Sequence, residues 1–371
     1  MALSKIKSSS IADTAIHGRR NLIINGAMQV SQRHGTSVYS QVNSGFNLDR
    51  FKGNSYDGGA ATGKFTVQQS STVPNDFSHS LLVTSLAATA DNANNIFNIE
   101  QLIEGYNTAH LNYGSSSAKT ITLSFYVRSS LTGTFGGALK NNDRNRAYPF
   151  SYTINSADTF ERKEITIAGD TSGTWVGSTN GMGLWVSFGL GVGSTRSGTA
   201  GAWGGGDMFS STGATSVVGT SGATWYITGV QLEVGEQATP FEHRSYGEEL
   251  ALCERYFQKH FGTTDASYYT AYAGLKWSLN TLFISFPLRQ IMRAEPSASI
   301  LNKDGSAKSN VVGNAAGNNN NDNFTAGNMT LQIGHDGVAM FTIGLDYNPD
   351  INYTYNAFID NSTRIDFDAE L

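Results

Sequence analysis

Residues 120–128 alternate without a break. Ile121, Leu123, Phe125 and Val127 fall on one side of an extended chain, and Thr120, Thr122, Ser124, Tyr126 and Arg128 on the other. Period 2 means a strand with one buried face and one wetter face. Other such runs lie at Glu164–Ala168, Leu184–Leu190 and Trp225–Val234, separated by Gly, Ser and Asn clusters. Gly229 breaks the alternation of the last run, where a bulge is expected. Many short strands punctuated by turns predict an all-β chain built from sandwiches or barrels.

Composition supports this and removes other classes. Only 15% of the 371 residues are charged, 11% are aromatic, and glycine supplies 41 positions. Aromatic content at that level argues against disorder. The net charge of −5 gives no basic footprint for nucleic acid, so no nucleic-acid partner is expected. A single cysteine closes no intrachain disulfide, and Cys253 is expected in a core. No run reaches the ~18 apolar residues of a membrane span. No apolar stretch follows Met1–Ser10, so neither membrane insertion nor a secretory signal is expected.

One helix stands out. Ser245 and Glu248 form a capping box, and Tyr246, Leu250, Cys253 and Phe257 make an apolar stripe, predicting a helix over 245–260. It divides the chain into residues 1–20, a polar arm; 21–243, a β-sandwich; 244–262, the linking helix; and 263–371, a second β-sandwich domain. In that second domain Leu282, Ile284 and Phe286 alternate, as do Met329, Leu331 and Ile333 ahead of an Asp336–Gly337 turn signal. Residues 303–323 are expected as an exposed loop.

Catalytic motifs are missing. Gly58 to Lys64 nearly spells a phosphate-binding loop, but Phe65 stands where a hydroxyl must hold magnesium, and a strand follows instead of a helix. No GxSxG or HExxH occurs, so no catalytic residue, cofactor or metal is expected. The carboxylates Asp346, Asp350, Asp360, Asp366, Asp368 and Glu370 read as turn and strand-end residues. The aromatics are more informative. Trp175 and Trp203 lie in Gly/Ser/Thr surroundings, Trp203 within the long tract 191–223, and Tyr148 follows a polar stretch. Tyr268, Tyr269 and Tyr272 cluster after the helix. Aromatic faces on loops suit the apolar faces of pyranose rings, so these six are the candidate carbohydrate-binding residues. Trp185 and Trp225, inside strands, are expected in the core.

Residues 21–33, with 45–51 after them, and residues 228–257 resemble recurrent stretches of tail-fibre proteins of marine and cyanobacterial phages, as does the ending Asp366–Leu371. The resemblance implies a jelly-roll domain akin to carbohydrate-binding modules, followed by a second β-domain. It also implies a homotrimer mounted on a virion tail or baseplate protein through residues 1–20, with residues 263–371 as the receptor-binding tip. The expected function is a non-enzymatic adhesin on the virion tail that attaches to host surface polysaccharide. The alternatives are a tailspike depolymerase and a purely structural fibre adaptor or capsid decoration. Related sugar-binding modules often begin Asn-Gly-Asp-Phe-Glu, whereas here Asn25-Gly26 continues Ala27-Met28-Gln29, and the acidic residues that bind structural calcium there are absent.

Overall fold

The computed structural model describes residues 19–39, 44–59, 63–90, 92–261, 270–278, 281–308, 310–315, 322–325, 329–333, 338–344, 355–359 and 363–371. Two compact units emerge, 1–249 together with Leu371, and 250–370. Most of the arm, residues 1–18, lies outside the described residues.

The first unit runs β1 (Ser44–Leu48), β2 (Phe51–Asp57), β3 (Phe65–Ser70), β4 (Ser80–Ser85), β5 (Asn95–Glu104), helix α1 (Gly105–Thr108), β6 (Ile121–Ser129), β7 (Gly133–Lys140), β8 (Ala147–Ile154), β9 (Glu161–Ile167), β10 (Met182–Val192), β11 (Ser197–Gly198), β12 (Ser210–Ser211) and β13 (Thr224–Val234). A six-stranded sheet has the order β1-β2-β5-β10-β7-β8, and a five-stranded sheet the order β3-β4-β13-β6-β9. Their inner faces share one core. Ile121, Leu123, Phe125 and Val127 are fully buried, as the alternation requires, and meet Leu184, Val186, Phe188 and Leu190 of β10 in the same cluster. Trp225 is fully buried and Trp185 5% exposed. Phe65 opens β3, so a strand and not a helix follows Lys64.

The expected bulge is present. Thr228 pairs with Tyr126 but Gln231 with Ser124, which inserts one extra residue into β13. Gly229 takes φ +60°, and a Cβ there would lie 2.7 Å from the Phe77 ring.

Residues 20–25 are clasped against β13 and the segment after it. Asn21 Nδ2 donates to Val230 O (3.0 Å), while its Oδ1 accepts from Ile23 N and Leu232 N. The N–H groups of Arg20 and Asn21 both donate to the Glu242 carboxylate. Burial pushes the Glu242 carboxyl up, but these donors and the Arg244 charge outweigh it and hold the pKa below the usual value. Arg244 donates to Asn21 O (2.5 Å) and Ile23 O (3.1 Å) and pairs with Glu242 and Glu249. Gly26 lies so close to this strand that a Cβ would stand 2.1 Å from Val230 O.

Helix α2 spans Tyr246–Glu254, shorter than the expected 245–260. The capping box is formed: Glu248 N donates to Ser245 Oγ (3.3 Å), and Ser245 N to Glu248 Oε2 (3.1 Å). Cys253 is buried at 1% exposure, as expected. The stripe fails at both ends, because Tyr246 is 58% exposed and Phe257 starts β14 (Phe257–Phe261). Pairing of Phe257–Phe261 with the final strand satisfies the backbone in an extended form, and that tertiary ladder overrides the helical periodicity.

The second unit continues β15 (Thr270–Ser278), β16 (Thr281–Pro287), β17 (Ser297–Asn302), β18 (Asn310–Ala315), β19 (Asp322–Thr325), β20 (Met329–Ile333), β21 (Val338–Gly344), β22 (Tyr355–Ile359) and β23 (Thr363–Asp368). It holds a three-stranded sheet, β14-β23-β17, and a seven-stranded one, β19-β18-β22-β15-β16-β21-β20. The strands expected around Leu282–Phe286 and Met329–Ile333 are present, and β20 pairs antiparallel with β21. The segment 303–323 is not simply a loop, because β18 lies within it and pairs with β22. Its Val311–Val312 pair gives a short strand inside an otherwise polar tract.

Replacing Arg244 by Met leaves the nearly buried Glu249 without its cation. It is expected to cost about 3–5 kcal/mol, the usual loss when one partner of a buried ion pair is removed. Urea denaturation of the two proteins measures this, and a loss under about 1 kcal/mol would show the clasp to be dispensable.

Candidate functional site

The outer face of the six-stranded sheet is the first surface to consider, since Trp185, Ser187, Asn98, Glu100 and Lys140 alternate away from the core. It is closed. The tract 193–216 folds down over it, tied by the Ala147–Gly204 bridge and by Ser187 Oγ donating to Phe209 O (3.2 Å). Gly136 permits this approach, because a Cβ there would lie 2.3 Å from Ser211 Oγ. Lys140 forms the latch. Its Nζ lies 2.9 Å from Asp207, 3.8 Å from the Trp185 ring centroid and 3.2 Å from that of Phe209. Burial lowers its pKa to about 8, against the opposing pull of Glu100 and Asp207. The long tract 191–223 that carries Trp203 is therefore, over this stretch, a cover on the sheet.

An open site lies elsewhere, where the segment after β5 meets the loop between β9 and β10. A cleft of about 60 Å³ is bounded there by Thr108, Leu111, Asn112, Tyr113, Trp175 and Leu184, among others. Helix α1 and the 3-10 turn Ala109–Leu111 carry one wall, and the N–H groups of Gly105 and Tyr106 donate to Gly181 O and Thr179 O of the other. Asn112 ends the turn with φ +56°, and its side-chain amide makes no hydrogen bond among the described residues.

Tyr113 is the centre of an aromatic cluster. Its ring meets Trp175 edge-on (centroids 4.9 Å, 83°) and Trp203 (5.7 Å, 80°), while Trp175 and Trp203 stand at 89° to each other. Trp175 Nε1 donates to Ser172 O (3.1 Å) and Trp203 Nε1 to Ala168 O (2.6 Å), which fixes both rings. Beneath them Arg146 grips Asp170 with two bonds, 2.8 and 2.7 Å, and Ser172 N adds a third donor. The Tyr113 hydroxyl is buried and has no partner. Burial first, and the Asp170 charge second, push its pKa well above the ordinary phenol value.

Three expected residues are thus brought together, but not as a flat platform. Trp175 lines the cleft. Trp203 is half-buried and braces Trp175 from behind. Tyr148 is only 8% exposed and packs under Trp203 (5.4 Å), so its ring is core and offers no face to a ligand; its place in β8, a strand with alternate residues turned inward, explains this. Tyr268 and Tyr269 lie outside the described residues; Tyr272 is in β15, its side chain outside the described set. Sequence reading passed over Tyr113 and Tyr106. Tyr106, in α1, is 57% exposed and stands on the turn that builds the cleft. The only sequence signal was a break in strand pattern at Gly105–Ser117.

Among the described residues no group of His, Cys, Asp and Glu is arranged to hold a metal, and no helix is long and apolar enough to cross a membrane. Of the C-terminal carboxylates, Asp366 pairs with Arg364 (2.8 Å) and Asp368 accepts from Glu370 N (3.0 Å), both structural roles. Asp346, Asp350 and Asp360 lie outside the described residues.

No family model matches the chain, and no curated protein matches it. Solved structures do. A tailspike protein 4 domain of bacteriophage CBA120 matches at 16% identity and TM-score 0.31, over 58% of this chain and 21% of that one. A sugar-binding protein from Bacteroides thetaiotaomicron matches at 11% and 0.33, over 58% of this chain and 100% of that one. A family 11 carbohydrate-binding module of a Clostridium thermocellum cellulase matches at 11% and 0.27, over 56% and 99%. The chain thus spans about a fifth of the tailspike domain it resembles.

The Lys140 latch has a pH signature. Its pKa in the fold, about 8, is below the 10.5 of the free side chain, so between these values the unfolded chain binds the extra proton. Stability from this group is therefore complete above 10.5 and is lost as pH falls through 8. Melting temperatures of wild type and Lys140→Met, compared from pH 7 to 10.5, are expected to shift in favour of wild type as pH rises. A constant difference would mean that the buried lysine keeps an ordinary pKa.

Proposed function

We propose that the chain is a non-enzymatic adhesin that binds glycan at the Asn112–Tyr113–Trp175 cleft, with the exposed Tyr106 on the adjoining turn. The observation that carries this is an open, partly polar cleft whose wall holds the Trp175 ring, fixed by its bonded indole N–H and by edge-on contact with Tyr113. Trp175 provides an apolar ring and the exposed Asn112 amide a donor and an acceptor, the combination a sugar requires. With the sheet face closed, this edge is an accessible aromatic surface of the first unit. The stretches resembling phage tail-fibre proteins support a place on a virion tail, with residues 1–20 as the attachment segment and host surface polysaccharide as the target.

Alanine at Tyr106 or Trp175 is expected to cost about 1–3 kcal/mol of glycan affinity, by analogy with stacking of other flat rings on aromatics. Asn112→Gly removes the exposed amide at a left-handed φ and is expected to weaken binding without lowering the melting temperature. A glycan array probed with these variants checks the site. Wild-type binding by all three would remove it. Incubation with the envelope polysaccharide tests the absence of catalysis, since a falling polymer size would establish a depolymerase instead.

Weak single sites become useful when several act together, which fits the homotrimer of the resembled fibres. Light scattering is expected to give three times the 39.8 kDa chain mass. A monomer mass at micromolar concentration would overturn the trimer.

A further inference from the structure

The geometry points to a side-chain amide between Lys140 and Asp207, formed by the chain itself with loss of one water. Among the described residues Lys140 is the one buried lysine, with no exposed side-chain surface, and its Nζ stands 2.9 Å from Asp207 Oδ1. Other lysine–carboxylate contacts lack this setting. Lys163 meets Glu161 two positions away on one strand, both within partial reach of water, and Lys52 stands 3.9 Å from Glu100. An ammonium carries three N–H donors. Lys140 has a single acceptor among the described residues, and the Phe209 and Trp185 rings, with centroids 3.2 and 3.8 Å away, fill the space around it. A buried ion pair repays its desolvation only when the remaining donors are bonded as well. An amide nitrogen keeps one N–H and no charge, so the bond removes both the charges and the unmatched donors.

The reactants are already held together, which makes the condensation intramolecular. The proton in the Lys140–Asp207 hydrogen bond passes from Nζ to Oδ1, leaving a neutral amine and a neutral acid, the pair that a water-poor site favours over two charges. Burial lowers the Lys140 pKa to about 8, and Arg144, over the Trp185 ring, also disfavours the ammonium. The nitrogen lone pair attacks Asp207 Cγ, and the C=O electron pair moves onto Oδ2, where Arg196 Nη1 stands 3.1 Å away to hold the oxyanion. Glu100 is the proton relay. It is 1% exposed, gives the largest opposing charge at Lys140, and is fixed by Asn98 Nδ2 at 2.9 Å. Its carboxylate takes the surplus proton from nitrogen and returns it to Oδ1. The C–O bond breaks, Oδ1 leaves as water, and the carbonyl re-forms at Oδ2. Ammonium and carboxylate thus become amide and water, and no co-reactant is consumed.

The test is the intact mass of the full chain, held folded at pH 8 until the mass is constant and then denatured. It is expected one water below the 39.8 kDa sequence mass, with peptide mapping showing a branched peptide that joins the Lys140 segment to the Asp207 segment. A water lost as a backbone succinimide at Asp57–Gly58, Asp304–Gly305 or Asp336–Gly337 returns in mild alkali, whereas an amide between side chains survives. Any fraction that carries the branched peptide establishes the bond. Asp207→Ala and Lys140→Arg are expected to keep their full sequence masses. Glu100→Gln, which still accepts from Asn98, is expected to slow the appearance of the branched peptide by about 10²-fold. An unchanged rate removes Glu100 from the step. A wild-type chain that melts cooperatively yet keeps its full mass overturns the amide and leaves the latch an ion pair. Once joined, Lys140 no longer titrates, so the pH dependence of melting expected above is read on chains whose mass shows the bond still open.

Discussion

Arg244 holds the first sandwich shut. Its guanidinium is nearly buried and reaches two backbone carbonyls at the start of the folded chain, Asn21 O and Ile23 O, while pairing with Glu242 just before it and Glu249 in α2. A planar fork with several donors can serve all four partners, where an ammonium could not. Glu242 in turn caps the Arg20 and Asn21 amides, and Asn21 crosses to Val230 and Leu232 in β13. The first residues of the unit are thereby locked against its last strand, an arrangement that closes a long chain segment.

The clasp gives physical meaning to the stretches that resemble phage fibres. Residues 21–33 and 228–257 are remote in sequence and adjacent in space. Phe241 and His243 turn one way, onto Phe77 over the Gly229 bulge (5.1 and 5.3 Å), while Glu242 and Arg244 turn the other way, onto residues 20–23. Gln231 and Glu233 hold the intervening turn, through Glu242 N on Gln231 Oε1 and Thr239 on Glu233. These residue types follow from closure of the sandwich. None of them lies at the cleft.

The edge proposed to bind glycan sits on segments with no such signature. It is assembled from α1 and the turn after β5 and from the loop between β9 and β10, with Asp170 and Arg146 bracing it from below. Because the cleft lies on loops while the sheets hold the frame, sequence can vary there without touching the clasp. Meanwhile the sheet face that would otherwise offer Trp185 and Lys140 is sealed by the tract 193–216, and that sealing turns a buried lysine into a packing element.

The sequence by itself determined what depends on local periodicity and local chemistry. It marked four strands of the first sandwich, at 120–128, 164–168, 184–190 and 225–234, but not β7 and β8; it also marked some strands after the helix, the bulge at Gly229, the capping box at Ser245 and Glu248, the burial of Cys253, Trp185 and Trp225, and the strand after Lys64. Tertiary structure decided the rest. Pairing with β23 made a strand of Phe257–Phe261 against its helical stripe, because ladder bonds between distant segments are invisible to a window. It buried Tyr148, tilted Trp175 and Trp203 nearly perpendicular, and brought Tyr113 from 62 residues away to fill the angle. Which aromatic faces solvent is fixed by what packs behind it, and only the folded chain brings those neighbours together.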